Sequence, residues 1–410
     1  MKYGLIGEHL SHSYSCEIHR KIGDYPYELR EIPRDGLDAF MTERDFCAIN
    51  VTIPYKKDVI PYLDEIDEAA RAIGAVNTVV NREGRLYGYN TDFYGLSRLL
   101  AVGGISLSGK KVLILGTGGT SATALAVAKA EGAKAVFRVS RRKQEGILTY
   151  EEALFLHTDA QVIVNTTPVG MFPSPEALPI DISRFPQLSG VADAIYHPLR
   201  TALVQQAEAG GIPAVGGLYM LVAQAVYAAS HFFSTPPRLD QIDEIYAAML
   251  AEKENAVLIG MPSSGKSTVG KATARLLGRR FLDSDAVLTE RLGMPIPEYL
   301  NTYGEPAFRI EEARVIADLS AESGVVIATG GGAVLNHENM RRLKQNGKLF
   351  FLNRSLDKLL PTADRPLSSD KERLTALYAY RLPLYQREAD VTLDGDGEIA
   401  ALAEQIKQEI

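Results

Sequence analysis

Residues Leu258–Thr268 read LIGMPSSGKST. Within them, Gly260–Ser267 completes the pattern G-x-x-x-x-G-K-[ST] in the surroundings the pattern requires. The apolar run that starts at Ala256 predicts a strand, and the amphipathic segment Gly265–Leu277 predicts a helix opening at the loop. Such a loop turns backbone N–H groups and a helix N-terminus toward phosphate oxygens. Gly260, Ser263, Ser264, Gly265 and Thr268 would build that cradle, Lys266 would add a point charge, and Ser267 would offer a hydroxyl to Mg²⁺. The reading is a nucleotide site on a strand–loop–helix unit, silent on what accepts the phosphate.

The same alternation runs outward. KYGLIG, CAINVTIP, KVLILG, AVFRVS, QVIVNTT, NAVLIG, GVVIATG and KLFFLN are strand candidates, with helix-length amphipathic segments such as Thr120–Glu131 and Glu305–Ser323 between them. This predicts an α/β protein with mostly parallel sheets. In AVNTVVNREGRLYGYNTD, a polar Asn81–Arg85 separates two β-rich runs, which predicts a hairpin and hence a mixed sheet near the N-terminus. The charged stretch at Ala251–Asn255 marks a seam, and GGISLSGK near Gly103–Gly104 a weaker one. Three domains are expected: a mixed-sheet substrate domain over residues 1–103, a Rossmann domain over 104–252 and a P-loop domain over 253–410. Helices near residues 217–250 are expected to pack back on the first.

At 410 residues the chain exceeds one ordinary core, and its 46% hydrophobic and 23% charged content suits a globular protein. A net charge of −7 argues against recruitment to nucleic acid by bulk electrostatics. No apolar run reaches membrane-spanning length, and MKYGLIGEHL lacks the apolar core of a signal peptide. Cys16 and Cys47 are the only cysteines and have no metal or redox spacing; no His/Cys/Asp cluster suggests zinc. The expectation is a cytoplasmic enzyme acting on small molecules, without nucleic-acid or membrane partners.

A second glycine-rich loop of another kind lies upstream, LILGTGGTSAT at Leu113–Thr123. Gly116, Gly118 and Gly119 follow a strand, Thr120 continues the loop, and Ser121 stands at the usual third-glycine spacing of a dinucleotide fingerprint. The next strand ends in Ser140, Arg141, Arg142 and Lys143, with no acidic residue. An NAD site wants a carboxylate there, and the 2′-phosphate of NADP wants arginine, so the unit is expected to take NADP. Arg142 and Lys143 also fit a solvated basic turn. The first hundred residues add unusual polar groups: Ser11, Ser13, Ser15, His9, His12 and His19 near the first strand, then Asn50, Thr52, Lys56, Asn77, Asn90 and Asp92. A Lys–Asp pair is one way to hold a charged proton donor beside a carbonyl.

Downstream of the phosphate loop come FLDSDAVL with Asp283 and Asp285, GEPAFRIEE, ATGGGAV, DRPLS and YRLPLYQREAD. The carboxylates suit a Mg²⁺ contact and a hydroxyl-orienting base; guanidinium groups beside backbone donors suit a small anionic acceptor. In order and spacing these segments resemble shikimate kinase over nearly all of Asn255–Ile410. The resemblance implies ATP and Mg²⁺, with Ser267 and Asp283 attending the metal. It implies Asp285 on the acceptor hydroxyl, and Arg309, Gly331, Gly332 and Arg381 around shikimate with Phe308 beside them. Arg365 would lie on a lid over the phosphates. Lys358 stands where that family often has an arginine.

The first part resembles shikimate dehydrogenase from Met1 to about Met249. The resemblance is carried by Ser13-x-Ser15, Asn50–Lys56, Asn77–Thr78, Asn90–Gly95, NTTPVGM, DAIYHPLRT and GLYMLVAQA. It implies Lys56 and Asp92 as the catalytic pair. Ser13, Ser15, Thr52, Asn77, Asp92, Tyr196 and Gln224 would line the substrate; Gly116–Thr120, Ser140, Arg141, Thr166 and Gly217 would line the cofactor. Together the two resemblances imply reduction of 3-dehydroshikimate with NADPH, then phosphorylation of the same hydroxyl of shikimate. The alternative is a quinate/shikimate dehydrogenase joined to a P-loop kinase for another small hydroxy acid.

Overall fold

The computed structural model describes residues 1–10, 13–359 and 371–410. Ser11, His12 and Arg365 therefore lie outside the described residues. Two compact units divide the chain, Met1–Met249 and Leu250–Ile410. The division falls inside the helix Leu239–Lys253, slightly before the expected seam. Among the described residues no helix is long and apolar enough to cross a membrane.

The first unit carries two six-stranded sheets. In the N-terminal sheet, Tyr3–Gly7 runs parallel to Glu28–Glu31 and to Ala48–Val51, and Ala48–Val51 pairs antiparallel with Thr78–Arg82. Thr78–Arg82 and Arg85–Tyr89 form the expected hairpin; Glu83 and Gly84 both take left-handed backbone at its tip. The sheet is mixed, as its sequence predicts. Ile6, Ile49, Val51, Val79 and Leu86 fill one face with Phe40, Met41 and Tyr55.

The second sheet is wholly parallel, in the order Ala214–Val215, Gly190–Asp193, Val162–Asn165, Lys111–Leu115, Ala135–Ser140, Leu148–Thr149. Lys111–Leu115 lies between the strand that follows it and one that comes later. Its C-terminal end is thus a topological switch point, where open α/β sheets bind ligands. The loop that leaves it begins at Gly116.

Helix Leu218–Phe233 packs against helix Asp92–Val102. The contact is close because Gly95 has no side chain: a Cβ there would stand 2.8 Å from the Met220 carbonyl oxygen. This approach brings Gln224 against the N-terminal sheet. Helix Leu239–Lys253 begins on the same unit, with the Gln241 amide donating to the Ile22 carbonyl at 2.9 Å.

The second unit has one five-stranded parallel sheet, ordered Phe281–Asp283, Val326–Ala328, Asn255–Ile259, Gly347–Asn353, Val391–Asp394. Apolar cores fill both faces, one around Val257, Ile327, Leu349 and Phe351 and the other around Ala256, Leu258, Val326 and Phe350. Burial on both faces explains why these strands read as continuous apolar runs. The phosphate loop leaves the central strand, with the two acidic positions and the glycine triplet on one side of it.

Candidate functional sites

In the first unit, Lys56 sits in the turn after strand Ala48–Val51, its carbonyl accepting from the Val76 N–H at 2.7 Å. Asp92 opens the helix Asp92–Val102, where the helix dipole favours a carboxylate. The two meet: Lys56 Nζ is 2.5 Å from Asp92 Oδ2, and their side chains are 14% and 3% exposed. Burial makes this pair costly to break on one side only, because the remaining charge would be left desolvated and unpaired. A Cβ on Gly119 would stand 3.5 Å from Lys56 Cδ. The lysine stem therefore lies against the start of helix Gly119–Ala130, at the loop expected to hold the dinucleotide.

Asn77 organises the neighbouring groups. Its amide donates to Thr91 Oγ1 at 3.1 Å and to Gln224 Oε1 at 3.3 Å, and its carbonyl oxygen accepts from the Thr91 N–H at 2.7 Å. Thr91 is the residue before Asp92, so the network fixes the helix start. Behind it, Tyr27 Oη donates to Asn50 Oδ1 at 2.7 Å, and Asn50 donates to Thr78 Oγ1 at 3.1 Å. Nothing in the local sequence around Tyr27 foretells that support, because its partner is 23 residues away. Ser13 Oγ donates to Ser15 Oγ at 3.0 Å, and the Tyr14 and Tyr196 rings lie 5.3 Å apart. Among the described residues neither serine hydrogen-bonds to the Asn77 group. Thr52 approaches Gly7, where a Cβ would meet its methyl at 2.7 Å.

His19 plays a structural part. It is buried, stacked on Tyr27 with ring centroids 3.7 Å apart, and burial lowers its pKa to about 3.

The dinucleotide loop fits a pyrophosphate. Gly116 has φ +114°, and a Cβ on it would strike Thr166 Oγ1 at 2.7 Å. Thr166 is itself held by the Leu115 carbonyl at 2.6 Å. At Gly118 an added Cβ would meet nothing within 4 Å, which leaves the backbone open to a ligand, and Gly119 and Thr120 begin the helix. Ser140 Oγ accepts from the Arg142 N–H at 3.0 Å and shapes the turn in which Arg141 and Arg142 are exposed. Lys143 is instead paired with Glu152 at 2.6 Å. Gly217 approaches the Ala194 carbonyl so closely that no Cβ fits. Below this end, buried Asp193 accepts from Asn165 at 3.0 Å, Thr201 at 2.8 Å and the Ile195 N–H at 3.0 Å. Burial pushes its pKa up to about 6 despite those donors.

In the second unit the phosphate loop is curled by left-handed backbone at Gly260 (φ +149°), Ser263 (φ +63°) and Gly265 (φ +96°). Gly265 caps helix Lys266–Leu277, and the Ser264 hydroxyl is buried without a partner among the described residues, as suits a cradle for an anion. Lys266 Nζ donates to the Gly260 and Met261 carbonyls at 2.9 and 2.7 Å. Thr268 lies in the first turn, its N–H on the Gly265 carbonyl at 3.0 Å. Ser267 Oγ donates to Asp283 Oδ2 at 2.5 Å, a hydroxyl–carboxylate pair of the hard-oxygen kind that suits Mg²⁺.

Asp285 stands two residues on, its N–H held by Asp283 Oδ1 at 3.0 Å. A Cβ on Gly330 would lie 2.5 Å from Asp285 Oδ1, so the glycine triplet presents backbone directly to that carboxylate. Arg309 Nη1 donates to Glu312 Oε2 at 2.8 Å and Nη2 to Glu305 Oε1 at 2.8 Å. Its guanidinium fills the space where a Gly332 side chain would be, and it lies 5.1 Å from the Phe308 ring centroid. Arg381 Nη1 donates to the Gly331 carbonyl at 2.8 Å, and Tyr385 Oη to the same oxygen at 2.5 Å. Among the described residues the buried Arg381 Nε has no partner. Asp285, Arg309, Gly331, Gly332 and Arg381 thus converge, a carboxylate and two guanidinium groups around half-buried glycine backbone. Glu312 belongs with them: burial raises its pKa, and Arg309 opposes that rise. Its three-residue spacing from Arg309 marks an ion pair in the sequence but not its place at the glycine triplet, where a Cβ on Gly330 would stand 3.3 Å from Glu312 Oε1.

Comparison with known proteins finds a family match in each unit. Residues 5–79 match the model of the shikimate dehydrogenase substrate binding domain, and residues 262–410 match the shikimate kinase model. A shikimate dehydrogenase (NADP(+)) of Clostridium perfringens is 35% identical over 250 residues, which are 55% of this chain and 90% of that protein. One from Halothermothrix orenii is 37% identical over 271 residues, 58% of this chain and 92% of its own. Shikimate dehydrogenase 1 of Peptoclostridium difficile superposes with a TM-score of 0.56 at 34% identity, covering 61% of this chain and 98% of that one. A Thermus thermophilus shikimate 5-dehydrogenase solved with NADP(H) and shikimate gives a TM-score of 0.54 at 30% identity, covering 60% of this chain and 99% of that one.

Proposed function

The chain belongs to the shikimate dehydrogenase family and carries a shikimate kinase domain behind it, and from that premise we propose how its residues divide two consecutive reactions. It is a bifunctional enzyme of the shikimate pathway. The first unit reduces 3-dehydroshikimate to shikimate with NADPH; the second phosphorylates shikimate at the hydroxyl just formed, using ATP. The observation that carries this reading is the Lys56–Asp92 contact beside Gly119 in a chain that also holds a complete phosphate loop.

NADPH supplies the hydride. Lys56 gives the proton to the oxygen of the carbonyl being reduced, and Asp92 keeps the ammonium group charged and aimed. Asn77, Gln224, Thr52, Ser13, Ser15 and Tyr196 hold the hydroxyl and carboxylate groups of the substrate. Gly116–Thr120, Thr166 and Gly217 receive the dinucleotide, and Ser140 and Arg141 its 2′-phosphate. The absence of an acid after Val139 favours NADP over NAD, which weighs against the quinate-type alternative.

In the kinase, ATP would supply the phosphoryl group, and Ser267 and Asp283 would hold a Mg²⁺ ion able to screen phosphate charge. Asp285 orients the acceptor hydroxyl and takes its proton. Arg309, Arg381, Gly331 and Gly332 hold the ring and carboxylate of shikimate, while Lys266 and the loop backbone hold phosphates. Arg365 is assigned to the nucleotide by resemblance alone.

The test is one incubation of the purified protein with 3-dehydroshikimate, NADPH, ATP and Mg²⁺, with products identified by mass. Shikimate 3-phosphate is expected, with shikimate accumulating when ATP is omitted. Reduction without phosphorylation of shikimate would favour the kinase alternative, and oxidation of quinate with NAD the dehydrogenase alternative.

A further inference from the structure

The kinase sheet divides the space above its strand ends in two. Every residue assigned to the acceptor follows Phe281–Asp283 or Val326–Ala328, or reaches across to that side, as Arg309 and Arg381 do. The other flank of the phosphate loop is formed by the end of strand Gly347–Asn353, whose next residue is Arg354. This arginine belongs neither to the acceptor group nor to the phosphate loop.

Its setting is rigid. The Gly395 N–H donates to the Asn353 carbonyl at 3.0 Å, and the Ser355 N–H to Asp396 Oδ1 at 3.4 Å, so both neighbours of Arg354 are pinned to the loop after Val391–Asp394. A Cβ on Gly395 would lie 2.8 Å from the Arg354 nitrogen, which shows how close that packing is. The side chain leads to the phosphate loop: Arg354 Nη1 stands 3.7 Å from where a Cβ on Gly265 would be. Among the described residues its guanidinium has no hydrogen-bond or ion-pair partner, and Nε is sealed from solvent without one. An arginine donor buried without an acceptor is costly, and structures keep such a group where a ligand supplies the acceptor. The adjacent cradle already offers anion-binding backbone at the cap of helix Lys266–Leu277.

We infer that Arg354 binds the phosphate chain of the nucleotide, on the flank of the loop away from the acceptor. The inference rests on the kinase reading above. A planar guanidinium can grip two phosphate oxygens at once, which a lysine cannot do in the same plane. Lys266 and Arg354 then bracket the chain from two sides, one rooted in the loop and one in the neighbouring strand.

The test uses the full-length protein with Arg354→Met and Arg354→Lys. ADP and inorganic tripolyphosphate binding are measured by calorimetry, KM for ATP and shikimate by steady-state assay, and folding by the thermal midpoint. Arg354→Met is expected to weaken both ADP and tripolyphosphate about tenfold or more and to raise the KM for ATP similarly, as loss of a charge-assisted pair implies. The KM for shikimate and the midpoint should stay near wild type, and Arg354→Lys should recover part of the loss. ADP affinity within twofold of wild type in both variants overturns the inference. So does a loss confined to ADP and absent for tripolyphosphate, or one shared equally by shikimate. Should the Met variant unfold, the Lys variant decides, since it keeps the charge and loses the fork. A wild-type protein that binds no ADP would instead sink the kinase reading itself.

Discussion

Lys56 and Asp92 are 36 residues apart, and each arrives by a local device: a turn after a strand and the first residue of a helix. Replacing Lys56 with Ala removes the proton donor and leaves a buried carboxylate unpaired. Reductase turnover should fall about 100- to 10,000-fold, with shikimate phosphorylation unchanged. A variant that keeps most of its reductase rate would refute the assignment. Arg141, by contrast, is exposed just after strand Ala135–Ser140. Arg141→Ala should raise the KM for NADP about tenfold or more through loss of a charge-assisted bond of about 1.5–3 kcal/mol, and should leave NAD untouched. Equal losses with both cofactors would make the residue structural. Residues of this kind were legible because a motif brings its chemistry in one short stretch. Tyr27, Glu312 and Arg354 were not, because their meaning lies in what another segment brings to them: Asn50, the acceptor triplet, and the phosphate loop.

Secondary-structure elements were legible where burial writes a pattern. The strands Lys111–Leu115 and Asn255–Ile259 and the hairpin at Glu83–Gly84 follow from apolar runs and a polar turn. Glu28–Glu31 was missed, for all four of its residues are exposed and it is held at the sheet edge by backbone pairing with Tyr3–Gly7. The helix expected from Glu305 proves to be the second half of Ile296–Ser320, two helices that meet at Gly304 with φ +81°. Pro306 then opens the second half, where a missing N–H costs least. That start sets Arg309 against the glycine triplet. A Cβ on Gly332 would fall 2.2 Å from Arg309 Nη1, and the guanidinium cannot swing aside without leaving Glu305 or Glu312. Gly332→Ala should therefore raise the KM for shikimate in the kinase reaction about tenfold, roughly 1.4 kcal/mol, with the KM for ATP near wild type. A kinase with an unchanged shikimate KM would show that Arg309 does not hold the acceptor.

At the scale of the molecule the two units have separate sheets and separate cores, so each should fold when the gene is divided. Where to divide it is decided by helix Leu239–Lys253. Its early residues belong to the first unit, with Ile242, Ile245 and Met249 buried and the Tyr219 hydroxyl donating to Asp243 at 2.5 Å. Its end belongs to the second. Arg279 donates to the Ala251 carbonyl and, at 2.9 Å, to the Glu254 carbonyl, and the Lys253 carbonyl accepts from the Gly324 N–H at 2.9 Å. A cut before Asn255, at the seam suggested by charged residues alone, strips the half-buried guanidinium of both acceptors. Each lost charge-assisted bond costs about 1.5–3 kcal/mol, part of which solvent recovers at the new terminus. The fragment Leu250–Ile410 should thus unfold at higher urea than Asn255–Ile410, while both phosphorylate shikimate when folded. Arg279→Ala in the longer fragment should bring it close to the shorter one. Equal urea midpoints for the two fragments would mean that the helix end contributes nothing to the kinase unit, and the charged seam would then be the better place to cut.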